Sequence, residues 1–301
     1  MTTNKAWQAR IGNQRDWVWR GWQTRYSYLR SKRQTYAADN PPVIFVHGFG
    51  ASIEHWRHNL PAIAEYHTVY ALDLLGFGAS RKADTEYSAD LWTEQLHDFW
   101  QTFISVPVIL VGNSIGSLVC LNATATYPEM VAGLVMLSLV DASVRESTLS
   151  PVRSLATTFE NLFAFPLLIK TILRTARTPK FIRRGVNRAY PNQEAITDEL
   201  IEIISSPAYD EGSEQTFLRL FRSVRKPGFA KPVRELLPLI DVPILLIWGL
   251  QDKIISPQQA KAIASLNLRL QLIELENAGH CPHDEYPEQF NSLLLGWLKS
   301  I

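Results

Sequence analysis

The chain has 301 residues, which is enough for one large α/β domain or two small ones. Its 30 basic and 29 acidic residues give a net charge of +1, so the overall charge provides no argument for a nucleic acid partner. The two cysteines, Cys120 and Cys281, exclude a disulfide framework, and no Cys/His cluster predicts a metal site.

The start of the chain, MTTNKAWQARIGNQRDW, has no apolar core of the length found in signal peptides. No run of about 18 apolar residues predicts a helix that crosses a membrane. These two features favour a cytoplasmic protein.

Eight short β-type runs occur along the chain, at 15–20, 23–29, 43–46, 68–72, 107–111, 133–138, 243–248 and 269–275. The first two, separated by little more than Gly21, predict an antiparallel hairpin at a sheet edge. The later runs are apolar without alternation, which is typical of parallel strands covered on both faces. Helix-length segments lie between the runs, at 54–64, 89–104, 115–127, 257–266 and 286–299. The pattern predicts an α/β fold with a mostly parallel eight-stranded sheet and helices on both faces.

The segment 141–236 interrupts this alternation. It contains helical patterns punctuated by prolines and no convincing strand, and a connection of this length between two strands favours a helical insertion over a loop. We therefore predict a core domain formed by residues 1–140 and 237–301, with a helical lid formed by residues 141–236 after strand six.

The stretch GNSIG places Ser114 between Gly112 and Gly116, after the apolar run PVILV and before the helical segment SLVCLNATA. The template G-x-S-x-G between a strand and a helix is typical of a nucleophile elbow, in which a sharp turn exposes the serine oxygen at a helix N-terminus. The two glycines are expected to let the chain turn sharply. A glycine-rich turn with a capping serine is the alternative interpretation.

A catalytic serine needs a base, and the base needs an acid that orients it. His280, in NAGHCPHDEYPEQF, lies after the last predicted strand and before the last helix, where this chain order places the base. His283 is predicted instead to help start that helix. For the acid we favour Asp252, in a turn directly after the seventh strand. The alternative, Asp141, follows the sixth strand and is expected to begin the insertion.

Acyl transfer also requires N–H donors for a tetrahedral oxyanion. Ile115, the residue after the serine, supplies one expected donor. The second is expected from the loop VHGFG, in which Phe49 is the predicted donor and His47 is predicted to hold the loop in place. Asp73, in LDLLGFGAS, is interpreted as a structural turn carboxylate.

The motifs HGFG, DLLGFGAS, GNSIGS, WGLQD and AGHCPHDEYPEQF together resemble the α/β-hydrolase superfamily over about residues 12–300, apart from the insertion. Within it, ALDLLGFGAS and GHCPHDEYPEQFNSLLLGWL are similar to the pheophytinase and chlorophyll dephytylase group, whose members cut the phytyl ester of chlorophyll-type pigments. The resemblance implies a catalytic triad of Ser114, Asp252 and His280, with Phe49 and Ile115 at the oxyanion hole. It implies serine ester hydrolysis without a metal or organic cofactor.

The sequence departs from the family pattern at two points. Ser117 stands where the relatives often carry a second glycine, and the insertion contains no recognised motif.

Several alternatives stay open. A general carboxylesterase or lipase, a cofactor-free perhydrolase and a carbon–carbon bond hydrolase all keep a serine nucleophile. The serine at position 114 argues against epoxide hydrolases and haloalkane dehalogenases, which use aspartate. A non-catalytic, ligand-binding member of the fold is the alternative from another class, although all three triad residues are present.

The part of the insertion from 151 to 190 is strongly basic, with one acid, Glu160, and eight basic residues: Arg153, Lys170, Arg174, Arg177, Lys180, Arg183, Arg184 and Arg188. Apolar residues are interleaved with them: Leu155, Phe159, Leu162, Phe163, Phe165, Leu167, Leu168, Ile172 and Leu173. Our hypothesis is a lid whose inner face forms an acyl or isoprenoid pocket for a small hydrophobic ester. Its outer face is then expected to contact an anionic membrane. A solvated basic surface is the alternative.

Overall fold

A computed structural model describes residues 7–33, 40–141, 175, 177–224 and 226–301. Within these ranges the strands form one eight-stranded sheet, and each predicted strand overlaps an observed one. The strands are β1 Asn13–Trp19, β2 Trp22–Leu29, β3 Val43–Val46, β4 Val69–Leu72, β5 Val108–Asn113, β6 Val131–Leu137, β7 Ile244–Gly249 and β8 Leu270–Leu275.

The strand order in the sheet is β1-β2-β4-β3-β5-β6-β7-β8. β1 and β2 form the predicted antiparallel hairpin at one edge, and the turn between them contains Arg20 (φ 50°) and Gly21 (φ 85°). β2 also runs antiparallel to β4, whereas every pair from β4–β3 to β7–β8 is parallel. The predicted mostly parallel, eight-stranded sheet is confirmed.

The central strands β3, β5 and β7 are buried over their full lengths, because both faces of the sheet are covered. Alternate side chains therefore enter two separate cores. Ile44 and Leu110 pack in the core on one face, and Phe45 and Val111 pack in the core on the other. This arrangement explains why these strands are continuous apolar runs in the sequence.

The α-helices of the described residues are α1 Leu60–Ile63, α2 Ala89–Phe103, α3 Ile115–Thr126, α4 Pro179–Ala189, α5 Asp198–Ser205, α6 Ser213–Ser223, α7 Val233–Leu236, α8 Gln258–Ala264, α9 Pro282–Glu285 and α10 Pro287–Leu298. One prediction is wrong: the segment 54–64 is not a single helix. A 3-10 helix, Ile53–Trp56, is followed by the separate helix α1. Pro61 has no N–H and stands in the first turn of α1, so a helix that continued through it would lack a hydrogen bond.

Between β6 and β7 the described residues form helices and no strand. A helical insertion after strand six is therefore confirmed, whereas the boundaries of the core and the lid stay predictions. The described part of the chain contains no helix both long and apolar enough to cross a membrane. Three of the basic residues named above and all nine of the interleaved apolar residues lie outside the described residues; the three are Arg153, Lys170 and Arg174.

Candidate active site

The predicted nucleophile lies at the carboxyl end of β5. This strand ends at Asn113 and α3 begins at Ile115, so Ser114 alone forms the turn between them. Its backbone has φ 56° and ψ −116°, a combination that residues with a side chain rarely adopt. Its N–H donates to the carbonyl of Leu137 at 2.8 Å, which fixes the turn against β6. Strain of this kind persists only where surrounding structure holds it, and it is concentrated at functional sites.

Neither Gly112 nor Gly116 has a positive φ, so the backbone conformation does not require glycine at either position. Both glycines are needed for close packing instead. A Cβ on Gly112 would lie 2.4 Å from the carbonyl oxygen of Gly116. A Cβ on Gly116 would lie 2.3 Å from the carbonyl oxygen of Val46 in β3. We expected these glycines to let the chain turn sharply, and this reason for their presence is wrong. Ser114 takes the strained conformation, and the glycines let α3 press against β3 and β5.

Ser117, the departure from the family pattern, ties the elbow to the sheet. Its hydroxyl accepts the N–H of Leu137 at 3.0 Å and donates to the carbonyl of Gly112 at 2.8 Å. The side chain is fully buried. Glycine at this position would form neither of these bonds, so the serine adds support to the elbow.

His280 and Asp252 form a direct hydrogen bond. Nδ1 of His280 lies 2.8 Å from Oδ2 of Asp252, and both side chains are buried. The other oxygen of Asp252 accepts the N–H groups of Ile254 and Ile255 at 2.8 and 2.9 Å, which orients the carboxylate towards the imidazole. The acid that contacts Nδ1 of His280 is therefore Asp252, the residue favoured over Asp141 from the sequence.

The serine turn and the histidine loop are in contact. The side chain of Asn113, next to Ser114, donates to the carbonyl of His280 at 3.1 Å, although these two residues are 167 positions apart. Parallel strands bring them together, because β5, β7 and β8 all present their carboxyl ends at the same edge of the sheet. Ser114, Asp252 and His280 thus lie at one edge.

The predicted oxyanion loop lies against the serine. A Cβ on Gly48 would be 3.5 Å from the Cβ of Ser114 and 2.9 Å from the side-chain oxygen of Asn113. Phe49 follows Gly48 in this loop, and Ile115 begins α3 directly after the serine. The loop that carries Phe49 and the first residue of α3 therefore both border Ser114. Their roles as oxyanion donors stay predictions.

His47 ties this loop down, as expected from the sequence. Its Nε2 accepts the N–H of Leu74 at 3.1 Å, so Nδ1 donates to the carbonyl of Gly48 at 2.8 Å. Burial lowers the pKa of His47 to about 4, which keeps the ring neutral at pH 7. Both ring nitrogens are occupied by the backbone, and this is the geometry of a structural residue.

Asp73 also has the structural contacts that its interpretation requires. Its buried carboxylate accepts the N–H groups of Ile53 and Ala79 at 2.8 and 2.7 Å. A Cβ on Gly78 would lie 2.2 Å from the carboxyl carbon, and the φ of this glycine is +47°. Burial raises the pKa of Asp73 to about 6.

A second buried polar cluster joins the insertion to the core, and no sequence pattern predicts it. Nε2 of His55 lies 2.6 Å from the hydroxyl of Tyr190, which donates to Asp284 at 2.9 Å. Asp284 also pairs with Arg57 at 2.7 Å, and Nε2 of His283 lies 3.3 Å from Nδ1 of His55. The prediction that His283 helps start the last helix is wrong, because it is buried in this cluster within α9, one short helix before α10.

Aromatic side chains extend from the oxyanion loop to the insertion. Phe49 packs edge-on against Phe77 at 5.4 Å and against Phe217 at 6.2 Å between ring centroids. Phe217 belongs to α6 of the insertion. Phe49 and Phe217 are 41% and 40% exposed, so apolar surface remains open between the oxyanion loop and the insertion.

The two cysteines are buried, free thiols. Burial raises the pKa of Cys120 and of Cys281, which keeps both thiols protonated and poorly reactive. Cys120 packs in the core behind the elbow. Within the ranges that the structure describes, no group of three His, Cys, Asp or Glu side chains is arranged to hold a metal ion.

The sheet, the elbow and the histidine–aspartate pair together define a class of protein. A family model of the alpha/beta hydrolase fold matches residues 41–287, which is most of the chain. The protein belongs to this family. Membership and the relatives below support a hydrolytic activity, and they leave open which bond is hydrolysed.

Two curated relatives sharpen this assignment. The chain is 28% identical over 303 residues to the chloroplastic pheophytinase of Arabidopsis thaliana, across 87% of this chain and 62% of that protein. It therefore spans less than two thirds of that relative. It is 27% identical over 267 residues to 2-hydroxy-6-oxo-6-(2'-aminophenyl)hexa-2,4-dienoic acid hydrolase of Metapseudomonas resinovorans, across 87% of this chain and 85% of that enzyme. The resemblance to a pheophytinase is confirmed.

Solved structures share the fold. A serine hydrolase involved in carbazole degradation, CarC, superposes with a TM-score of 0.77 at 24% identity, across 96% of this chain and 99% of that one. A bacterial membrane phospholipase A superposes with a TM-score of 0.75 at 22% identity, across 98% and 88% of the two chains. At these identities the likeness shows the fold alone, since one fold carries many functions.

Proposed function

We propose that this protein is a serine hydrolase that cleaves a carboxylic ester through an acyl-enzyme intermediate. Nε2 of His280 accepts the proton of Ser114 as the serine oxygen attacks the ester carbonyl, and Asp252 stabilises the imidazolium. The N–H groups of Phe49 and Ile115 donate to the oxyanion. His280 then protonates the departing alcohol, and water activated by the same histidine releases the acid. These steps use only groups of the protein and water, and they need no cofactor.

The observation that supports this proposal most directly is the 2.8 Å hydrogen bond between His280 and Asp252, at the edge where Ser114 occupies its strained turn. Because Nδ1 donates to the carboxylate, the neutral ring presents an unprotonated Nε2 as a proton acceptor. A serine in a strained strand-to-helix turn is the matching nucleophile.

For the substrate we propose a hydrophobic ester, first of all the phytyl ester of a chlorophyll-type pigment, with residues 141–236 as the lid. The open aromatic surface of Phe49 and Phe217 supports an apolar chain beside the serine, since burial of such a chain is favourable. The likeness to pheophytinase supports the pigment ester. A general carboxylesterase or lipase is the broader form of the same proposal.

The test uses two substrates, a short p-nitrophenyl ester and pheophytin a in detergent, with wild type, Ser114→Ala and the exposed-serine control Ser265→Ala. The expected result is release of phytol that depends on Ser114 and not on Ser265. Cleavage of the short ester alone would keep the triad and remove the pigment as substrate. No turnover by the wild type, together with no labelling of Ser114 by a fluorophosphonate, would overturn the proposal and leave a ligand-binding role.

A second candidate function is hydrolysis of a carbon–carbon bond. The likeness to the Metapseudomonas resinovorans hydrolase favours it, because that enzyme's name specifies a dienoic acid and not an ester. The same serine, histidine and aspartate would serve either reaction. Turnover of the dienoic acid of that name, with no turnover of either ester, would favour this candidate over the first.

We also propose that the insertion contacts an anionic membrane surface through α4. Lys180, Phe181, Arg184 and Arg188 are all exposed, and they lie within about 100° of one another around the helix. Val186 is buried on the opposite side. Exposed basic side chains around an aromatic ring are typical of a surface that binds anionic lipid headgroups.

Sedimentation with vesicles tests the membrane proposal. Binding to phosphatidylglycerol vesicles and not to phosphatidylcholine vesicles is expected at low ionic strength. The binding should disappear when the three exposed basic residues Lys180, Arg184 and Arg188 are replaced by glutamate. The matched control replaces three exposed lysines of the core: Lys253, Lys261 and Lys299. No binding by the intact protein would leave a solvated basic surface as the explanation of this face.

A further inference from the structure

Glu285 is a buried carboxylate beside the candidate histidine. It is the last residue of α9 and is 3% exposed. One of its oxygens, Oε1, accepts two backbone N–H groups, from Gly279 at 2.9 Å and from Cys281 at 3.2 Å. These residues stand on either side of His280. A single carboxylate oxygen therefore holds both flanks of the histidine.

The same side chain reaches the insertion. Oε2 of Glu285 accepts the N–H of Asn192 at 3.4 Å, and the side chain of Asn192 donates to the carbonyl of Glu285 at 3.0 Å. The N–H of His280 itself donates to the carbonyl of Ala189 at 2.9 Å. A Cβ on Gly279 would lie 2.3 Å from that carbonyl oxygen. The segment 189–192, at the end of α4, thus packs directly on the histidine loop.

The buried carboxylate of Glu285 is costly to maintain. It accepts N–H groups from Gly279, Cys281 and Asn192, and yet burial raises its pKa to about 7. An apolar side chain here would avoid that cost, but it would leave these three N–H groups without their acceptor. The position and the number of its acceptor bonds therefore point to a role beyond packing.

We propose that Glu285 is a positioning residue for His280 and the contact through which the insertion holds the histidine loop; this rests on the triad proposed above. Its bonds to the flanking N–H groups determine where the imidazole stands relative to Ser114 and Asp252. Its bond to Asn192 ties that position to the insertion. Glu285 acts through the histidine loop, and the reacting atoms are Ser114 and His280.

Three variants separate these contacts. Glu285→Gln keeps an oxygen for both flanking N–H groups and places an amide towards Asn192. Glu285→Ala removes every contact of the side chain. Glu288→Ala, which changes an exposed glutamate three positions along the chain, is the matched control.

The first readout is hydrolysis of a short p-nitrophenyl ester. We expect kcat to fall about 10–100-fold in Glu285→Ala with KM changed less than about threefold, because displacement of a catalytic group by about 1 Å has effects of this size. Glu285→Gln should recover most of the lost kcat, and Glu288→Ala should equal wild type. Wild-type kcat in Glu285→Ala, or equal losses in the alanine and glutamine variants, would overturn the proposal.

The second readout needs no substrate. The imidazole NMR signals of His280 should change more in Glu285→Ala than in Glu285→Gln and stay as in wild type in Glu288→Ala; no change in the alanine variant would overturn the proposal. If Glu285→Ala does not fold, Glu285→Asp replaces it. Its carboxylate is one methylene too short, so its kcat should fall below that of Glu285→Gln. A wild type that neither cleaves the ester nor reacts with a fluorophosphonate would contradict the hydrolase function, and the NMR comparison would still test Glu285.

Discussion

The serine half and the histidine half of the candidate site are held by different forces. Close backbone packing at Gly112 and Gly116, where α3 meets β5 and β3, holds Ser114. Side-chain hydrogen bonds of Asp252 and Glu285 hold the histidine loop, and the insertion adds its own bonds to it. The two glycines stand close together in the sequence and form a local pattern around Ser114, whereas the side chains that hold the histidine loop form no such pattern. The turn at Ser114 can therefore be predicted from the sequence, whereas the contacts that hold the histidine loop can be seen only in the structure.

The largest expected effect comes from breaking the histidine half at its acid. In Asp252→Asn, the amide oxygen can keep the hydrogen bonds from Ile254 and Ile255. The amide N–H groups then face Nδ1 of His280, and this favours the wrong imidazole tautomer. We expect kcat to fall roughly 10⁴-fold for the p-nitrophenyl ester, with the free energy of unfolding little changed. Steady-state kinetics and urea denaturation measure the two quantities, with the exposed Asp241→Asn as control. A variant that retains most of its kcat would contradict the role of Asp252.

The serine half should break through sterics. The new methyl group of Gly116→Ala would lie 2.3 Å from the carbonyl oxygen of Val46, and strand backbone cannot move aside without loss of its pairing. The expected loss in the free energy of unfolding is about 3 kcal/mol. Gly296→Ala is the matched control, because this helical glycine has open space around it and should gain about 0.5–1 kcal/mol. Equal effects at the two positions in urea denaturation would argue against close packing as the reason for glycine at 116.

A smaller effect is expected where the insertion joins the core. Tyr190→Phe removes the hydroxyl between His55 and Asp284 and leaves both buried groups one hydrogen bond short. We expect a loss of about 2 kcal/mol in the free energy of unfolding. Tyr209→Phe, at a half-exposed tyrosine, should change it little. Chemical denaturation of the two variants provides the measurement. Similar losses of stability in both would mean that the hydrogen bonds of Tyr190 do not stabilise the fold.

The smallest effect concerns the pH dependence of stability. Burial lowers the pKa of His55 from 6.5 to about 3, among Arg57, His283 and Tyr190. As pH falls from 6.5 towards 3, the unfolded chain binds a proton at this residue that the folded protein does not. His55 therefore costs stability over this range.

Relative to His55→Gln, the wild type should lose about 1 kcal/mol of stability between pH 6.5 and 5.5. Asp73, with its pKa raised to about 6, acts in the opposite direction, so only the difference between the two proteins isolates His55. Urea denaturation at pH 7.5 gives the reference difference, which contains the lost contacts of His55 with Tyr190 and His283. A difference that does not change with pH would mean that His55 has the same pKa in the folded and in the unfolded protein.

The acid of the site illustrates how far the sequence leads. Asp141 and Asp252 each follow a parallel strand, and the carboxyl ends of these strands share one edge, so topology alone admits both. The sequence favours Asp252 because this residue stands in a turn directly after the seventh strand. The deciding contacts are the N–H groups of Ile254 and Ile255, which aim the carboxylate at His280, and turn geometry of this kind is not visible in residue types.

Tyr190 and Glu285 were not predicted, for a related reason. The partners of Tyr190 lie 135 and 94 positions away, and the insertion partner of Glu285 lies 93 positions away. Apolar periodicity identifies strands and helices, but it does not specify which buried polar side chains will meet. The eight strands and Ser114 were predictable because their signals are local.

The insertion between β6 and β7 has a consequence for synthesis of the chain. β6 pairs with β5 on one side and with β7 on the other, and residues 138–243 separate β6 from β7 in the sequence. At ~5–20 residues per second, the ribosome needs roughly 5–20 s to reach β7 after β6 is complete. During this interval β6, an apolar strand, is the open edge of an unfinished sheet, and its free backbone groups can pair with another nascent chain. We therefore expect chaperones that shield apolar strands to matter most to this protein while residues 138–243 are being translated.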